Sequence, residues 1–155
     1  MADDDARIPL TSKLVASLYT EAMVLADEVR AYFDRHGREE RDSLDPLVRV
    51  GFSCESLKVT TRLMHIIAWL LTQRAVEAGE ISRRQALNPS RRLGEAPETD
   101  EALLARLPAN AAALINASRD LYARVSRLDQ GTVPAATEVH PSPARSLLSR
   151  LERSF

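Results

Sequence analysis

Apolar residues recur at spacings of three and four in three long stretches, and each stretch predicts an amphipathic helix. In the first, Leu14, Leu18, Ala22, Leu25, Val29 and Tyr32 share one face. Thr11 or Ser12 can cap its start and Gly37 offers a left-handed stop, so the expected helix runs from about Ser12 to His36. The second opens at Asp45-Pro46, where aspartate is a favoured cap and proline suits the first turn. It continues to Ala78 before Gly79, interrupted only by Gly51, and would be roughly 50 Å long. The third starts at Pro108, carries Ala111, Leu114, Ser118, Leu121, Val125 and Leu128 on one seam widened by Ile115 and Tyr122, and stops at Gly131.

The segments between are of a different kind. "REERDSLDP" is a charged connection. Ser82 opens a capping-box pattern, "SRRQ", which Pro89 cuts short. "NPSRRLGEAPET" has the composition of a linker, and "DEALLARL" a short turn before Pro108. After Gly131 comes "GTVPAATEVHPSP", a flexible proline-bearing stretch. The chain closes on "ARSLLSRLERSF", where Leu147, Leu148, Leu151 and Phe155 share a face opposite Arg145, Arg150 and Arg153. No strand pattern or internal repeat stands out. The expected fold is all-α: an antiparallel three-helix bundle over residues 11–130 with a long central helix. An acidic arm over 1–10 would precede it. A flexible tail over 131–155 would follow, with a short amphipathic helix over 143–154.

The central helix is apolar on too many sides for two neighbours to cover. Val50, Cys54, Leu57, Thr61, Met64, Ala68, Leu71 and Ala75 form one stripe at alternating spacings of four and three, expected to face the bundle. A second apolar set, Phe52, Val59, Leu63, Ile66, Ile67 and Leu70, would be left to a partner, and a second copy of the chain is the commonest such partner. Glu55, Lys58, Arg62, His65, Trp69 and Gln73 lie three or four apart on a polar strip. That strip is either a solvated edge with Trp69 tucked over the core or a partner-binding surface, since arginine and tryptophan are enriched at interface anchors.

Composition narrows the function classes. The chain has 155 residues, 45% hydrophobic and 28% charged, which suits one globular domain. Basic and acidic residues nearly cancel, 21 against 22, so the totals give no support for nucleic-acid binding. The longest clean apolar run is six residues, Ile66 to Leu71, too short for a membrane span. "MADDDAR" has no apolar core and is not a secretory signal, which predicts a cytoplasmic protein. One cysteine, Cys54, excludes an internal disulfide, and its place on the apolar stripe predicts a small core residue. His36, His65 and His140 have no metal-site spacing, no serine or cysteine has an activating His–Asp pair set by spacing, and there is no glycine-rich phosphate loop. No catalytic residue, metal or cofactor is therefore expected, and the chain does not look like an enzyme. Arg83-Arg84 and Arg91-Arg92 are either solubilising charges paired with Glu77, Glu80 or Glu95 or a docking site for an acidic partner.

"ESLKVTTRLMHIIAWLLTQRAVEAGEIS", Glu55 to Ser82, resembles the signature of the regulator-of-CtrA-degradation (RcdA) family, alphaproteobacterial proteins also grouped as a domain of unknown function. The likeness rests on Glu55-Ser56, Lys58, Thr60-Thr61-Arg62-Leu63-Met64, Trp69-Leu70-Leu71, Gln73-Arg74-Ala75-Val76 and Gly79-Glu80. "SLYTEAMVLADEVRAYFD" and "LYARVSRLD" add weaker support, and His65 departs from the glutamine usual in the family. The resemblance implies a dimeric three-helix bundle that is a non-enzymatic adaptor. Such an adaptor helps deliver the cell-cycle response regulator CtrA and other substrates to the ClpXP protease, with the ClpX unfoldase and further adaptors as partners. It also implies a carboxyl-terminal tail that matters for partner binding. The apolar face of Leu147, Leu148, Leu151 and Phe155 would either lie in a partner's groove or pack back on its own bundle. The alternative is a structural or signalling homodimer of the same fold with other protein partners.

Overall fold

The computed structural model describes residues 10–133 and 150–154. Three long helices make the body: α1 (Ser12–Ala31), α3 (Pro46–Glu77) and α6 (Ala109–Gly131), with short α2 (Arg38–Asp42), α4 (Arg83–Ala86) and α5 (Glu101–Leu104) in the connections. No strand occurs among the described residues. Each long helix packs on both others. Residues 150–154 are helical with Leu151 exposed. The rest of the expected tail helix, with Leu147, Leu148 and Phe155, and the acidic arm over residues 1–9 lie outside the described residues.

The caps follow the sequence in part. Thr11 accepts from the amide of Leu14, Ser82 and Gln85 form a reciprocal capping box, and Asp100 accepts from the amide of Leu103. Pro46 opens α3 as expected, but the Asp45 side chain makes no capping hydrogen bond and instead lies 3.7 Å from Arg106. Gly79 ends α3 with a φ of +75°, the left-handed conformation that favours glycine.

The first helix ends differently from the expectation. After Ala31 the chain makes one π-helical turn, Tyr32–His36, and Gly37 is right-handed, with φ −83°. Gly37 is required for room: a Cβ there would stand 2.9 Å from the Tyr32 carbonyl oxygen and 3.0 Å from its ring. The wider turn sets Tyr32 and Phe33 against Phe52 of α3, the Phe33 and Phe52 ring centres 5.1 Å apart. Tyr32 also donates a short hydrogen bond to Glu40 of α2, a helix the charged connection did not announce.

The directions of the helices are set by who meets whom. Ser12 at the start of α1 donates to Glu77 at the end of α3, so these two are antiparallel. Arg62 meets Ser118 and Trp69 meets Asp129, so α6 runs parallel to α3. The expected antiparallel arrangement thus holds for α1 against the other two but not for α3 against α6. The cause is the connection between them. The chain after α3 turns at Gly79 and travels back along the whole helix before α6 begins, a long crossover in place of a tight loop.

The core also uses the other face of α3. Val48, Phe52, Val59, Leu63, Ile66 and Leu70 are buried with Val15, Leu18, Ala22, Leu25 and Val29 of α1 and Ala111, Ile115, Leu121 and Val125 of α6. The stripe expected to face the bundle points outward. Val50, Leu57, Met64 and Leu71 are exposed, Leu57 at 68% and Met64 at 66%, and Cys54 is exposed with them instead of lying in the core. Gly37→Ala should destabilise the fold by about 1–2 kcal/mol, because overpacking against the Tyr32 carbonyl outweighs the better helix propensity of alanine. Urea unfolding followed by circular dichroism checks this, and a rise in the midpoint would show that the turn relaxes at no cost.

Candidate functional site

Two seams run along α3, and they differ in kind. The buried one is Val48, Phe52, Glu55, Val59, Arg62, Ile66, Trp69 and Gln73, again at alternating spacings of four and three. Every polar member of it is a residue of the strip that the sequence left as edge or docking surface. Glu55 is 0%, Arg62 3% and Trp69 2% exposed, Gln73 is buried, and Lys58 and His65 are half-buried. None of the four buried side chains faces solvent in this conformation.

What covers them is the returning chain. Residues 92–100, the stretch with linker composition, lie as an extended strap along α3 and α6, fastened by side chains of the strip. Arg62 donates from Nη2 to the Pro97 carbonyl at 3.0 Å and to Thr99 Oγ1 at 2.7 Å, and from Nη1 to Ser118 Oγ at 3.3 Å. Ser118 passes its own hydrogen to the Ile115 carbonyl. The Asp100 amide donates to Glu55 Oε1 at 3.0 Å. Lys58 Nζ stands 3.3 Å from Glu55 Oε2, an ion pair without an aligned hydrogen bond. At Gly94 the strap comes so close that a Cβ would stand 1.8 Å from His65 Nδ1, and Tyr122 donates to the Gly94 carbonyl at 2.6 Å. Further along, a Cβ on Gly51 would meet Leu103 at 2.4 Å, so α5 is pressed onto α3 there.

The amino-terminal end of the strap is tied at Asp129. Arg92 binds its carboxylate with two hydrogen bonds, Nε to Oδ1 at 2.8 Å and Nη2 to Oδ2 at 2.9 Å, and Trp69 Nε1 donates to Oδ1 at 2.9 Å. The hydrogen bond to Asp129 is also what raises the pKa of Arg92 above its ordinary value. Arg92 therefore pairs with a helix carboxylate that the sequence did not nominate. Glu77, Glu80 and Glu95 form no ion pair with it. Burial lowers the pKa of Arg62, against which the Glu55 carboxylate acts.

The exposed seam is the second candidate surface. Leu47, Val50, Cys54, Leu57, Met64, Ala68 and Leu71, with the half-buried Thr61 between Leu57 and Met64, follow at spacings of three and four over about 36 Å of helix, the pattern by which one helix packs on another. Among the described residues no three His, Cys, Asp or Glu side chains are grouped to hold a metal ion, and no helix is long and apolar enough to cross a membrane. The polar strip and the apolar seam thus divide the helix: one fastens the fold, and the other is exposed among the described residues.

Asp129→Asn should cost about 2–3 kcal/mol, since an amide nitrogen replaces an acceptor of a charge-assisted bond from Arg92. Trp69 is the one tryptophan of the chain, so its fluorescence reports the loss directly during urea unfolding. An unchanged midpoint and emission would show that the strap is not fastened at this point.

Comparison with known proteins places this architecture. Residues 7–155 match the family model described as protein of unknown function (DUF1465). No curated protein matches the chain. Among solved structures, the crystal structure of RcdA from Caulobacter crescentus CB15 is similar, with a TM-score of 0.65 and 33% sequence identity over 79% of this chain and 93% of that one. A family model spanning nearly the whole sequence and a solved relative of this identity agree with the motif on α3: the chain belongs to the DUF1465 family, the family of RcdA.

Proposed function

We propose that this protein is a non-enzymatic adaptor that helps deliver substrates, such as the cell-cycle response regulator CtrA, to the ClpXP protease. The observation that carries the reading is the likeness to RcdA over 93% of that chain, at 33% sequence identity. An adaptor works by holding two partners at once, which raises their local concentration. It needs a rigid body, docking faces and reach. The strapped bundle supplies the body, and the exposed seam of α3 supplies an apolar face. The tail expected over residues 131–155 would supply the reach, with Leu147, Leu148, Leu151 and Phe155 as the apolar anchors for the unfoldase or a further adaptor.

The seam also favours the second reading, a homodimeric bundle serving other protein partners. Its helical spacing suits a second helix of the same kind, and two-fold pairing of identical chains is the commonest way to cover such a face. In the adaptor reading the dimer is the working unit, presenting two tails. The protein acts in the cytoplasm in either case, without cofactor or nucleic acid.

Light scattering should find a particle of twice 17.2 kDa at micromolar concentration. Leu57→Glu with Met64→Glu should convert it to monomer without loss of helicity. A wild-type monomer would remove the pairing. For the adaptor reading, the full chain should capture the ClpX unfoldase or its other adaptors in a pull-down. Replacing Leu147, Leu148 and Leu151 by serine should reduce capture at least tenfold, roughly the loss expected when interface anchors are truncated. If the wild-type chain captures neither unfoldase nor adaptor, the second reading stands in its place.

A further inference from the structure

Behind the strap, Arg62, Pro97, Thr99, Arg119 and Tyr122 line a cleft of about 440 Å³. Three of the five Arg62 N–H bonds are spoken for, and each goes to a neutral acceptor. Nε–H and one Nη1–H are left, and Nε is not among the polar atoms sealed away without a partner. Among the described residues no carboxylate lies within 4.0 Å of this guanidinium, although the residue is 97% buried by its 3% exposure. Buried charges are ordinarily paired, and Glu55, the carboxylate whose charge acts on Arg62, makes its own contacts with Lys58 and the Asp100 amide instead. A second guanidinium faces the same cleft from α6: Arg119, half-exposed, which donates to Asn116 and pairs with Glu101. Burial lowers the pKa of Arg62, the Glu55 carboxylate opposes this, and the nearby Arg119 adds to the lowering.

We propose that this cleft is a binding site for a carboxylate group, held between Arg62 and Arg119 and walled by Tyr122 and the strap. A carboxylate matches the planar fork of a guanidinium and completes it with two parallel hydrogen bonds. The two arginines and two glutamates that line the cleft sum to no net charge, which disfavours a dianion such as phosphate. Glu101 already neutralises one positive charge, and the exposed Glu98, which also lines the cleft and pairs with neither arginine, would repel a dianion. Glu98 stands beyond 4.0 Å of both guanidiniums, so it leaves the open side of Arg62 free for a carboxylate. The group can be the end of a small free acid or of a polypeptide. The site does not depend on the adaptor reading, since its residues are Arg62 of α3, the strap and α6, and not the apolar seam or the tail.

The test follows the arginine side-chain Nε–H signals by nuclear magnetic resonance in the intact protein. The probes are sodium acetate, the tripeptide Gly-Gly-Ala, and the same tripeptide with an amidated end. Acetate should displace the Arg62 and Arg119 signals saturably, with a dissociation constant on the order of 1 mM. Arg119→Gln, at a half-exposed position that tolerates change, should weaken this about tenfold. Tighter binding of the free-acid tripeptide, lost on amidation, assigns the carboxylate to a polypeptide end. Equal binding of acetate and tripeptide assigns it to a small acid. Three results overturn the site: no saturable displacement by any carboxylate, the same displacement by sodium chloride at matched ionic strength, or full binding by Arg119→Gln.

Discussion

Arg62 sits inside the bundle with its charge in place, and what it needs dictates the path of the chain after α3. A guanidinium removed from water must have its N–H groups met, and a helix interface lined by leucine and valine cannot meet them. An extended strand of backbone can. The Pro97 carbonyl and the Thr99 hydroxyl reach Arg62 because residues 92–100 run along the groove between α3 and α6. Glu55 answers from the same face in the opposite sense, accepting the Asp100 amide. Asp129 closes the other end by taking Arg92 and Trp69 together. The strap has few large apolar residues of its own, so polar fastening is what holds it down. Its route is also why α6 runs parallel to α3: a chain that has travelled back along the helix can only start again in the same direction.

Much of this was legible in the sequence, and the failures share one cause. The three long helices and most caps follow from spacing, Pro46 and Pro108, and the capping box at Ser82. The core faces of α1 and α6 follow too, since each has a single apolar stripe. Helix α3 has two stripes of the same period, and periodicity cannot rank them. Assigning the regular stripe from Val50 to Ala75 to the core puts Val50, Leu57 and Met64 on the wrong side. A signal was present all the same. Glu55, Arg62 and Trp69 fall seven apart, interleaved with Phe52, Val59 and Ile66 in one unbroken seam. Polar residues at alternate positions of an apolar seam mark buried hydrogen bonding as readily as they mark an edge. The linker composition of "NPSRRLGEAPET" misled for a related reason. Proline and glycine there do not loosen the chain; they let it lie close, as Gly94 does against His65.

The division of α3 has a consequence for what the protein can do. Had the apolar seam faced inward, the fold would have been stable and closed, with its polar strip in water. Burying the polar strip instead spends the hydrogen bonds inside and leaves a straight apolar face outside. Such a face in an abundant protein invites non-specific association unless something covers it. Its regular helical spacing limits the candidates to another helix laid alongside, which a disordered or extended partner would match poorly. The arrangement therefore couples two demands. The strap must stay fastened for the polar seam to remain satisfied, and while it does, α3 cannot roll to hide its apolar face. A helix held in that orientation by Arg62 and Asp129 keeps its apolar face outward, where a second helix could be laid along it.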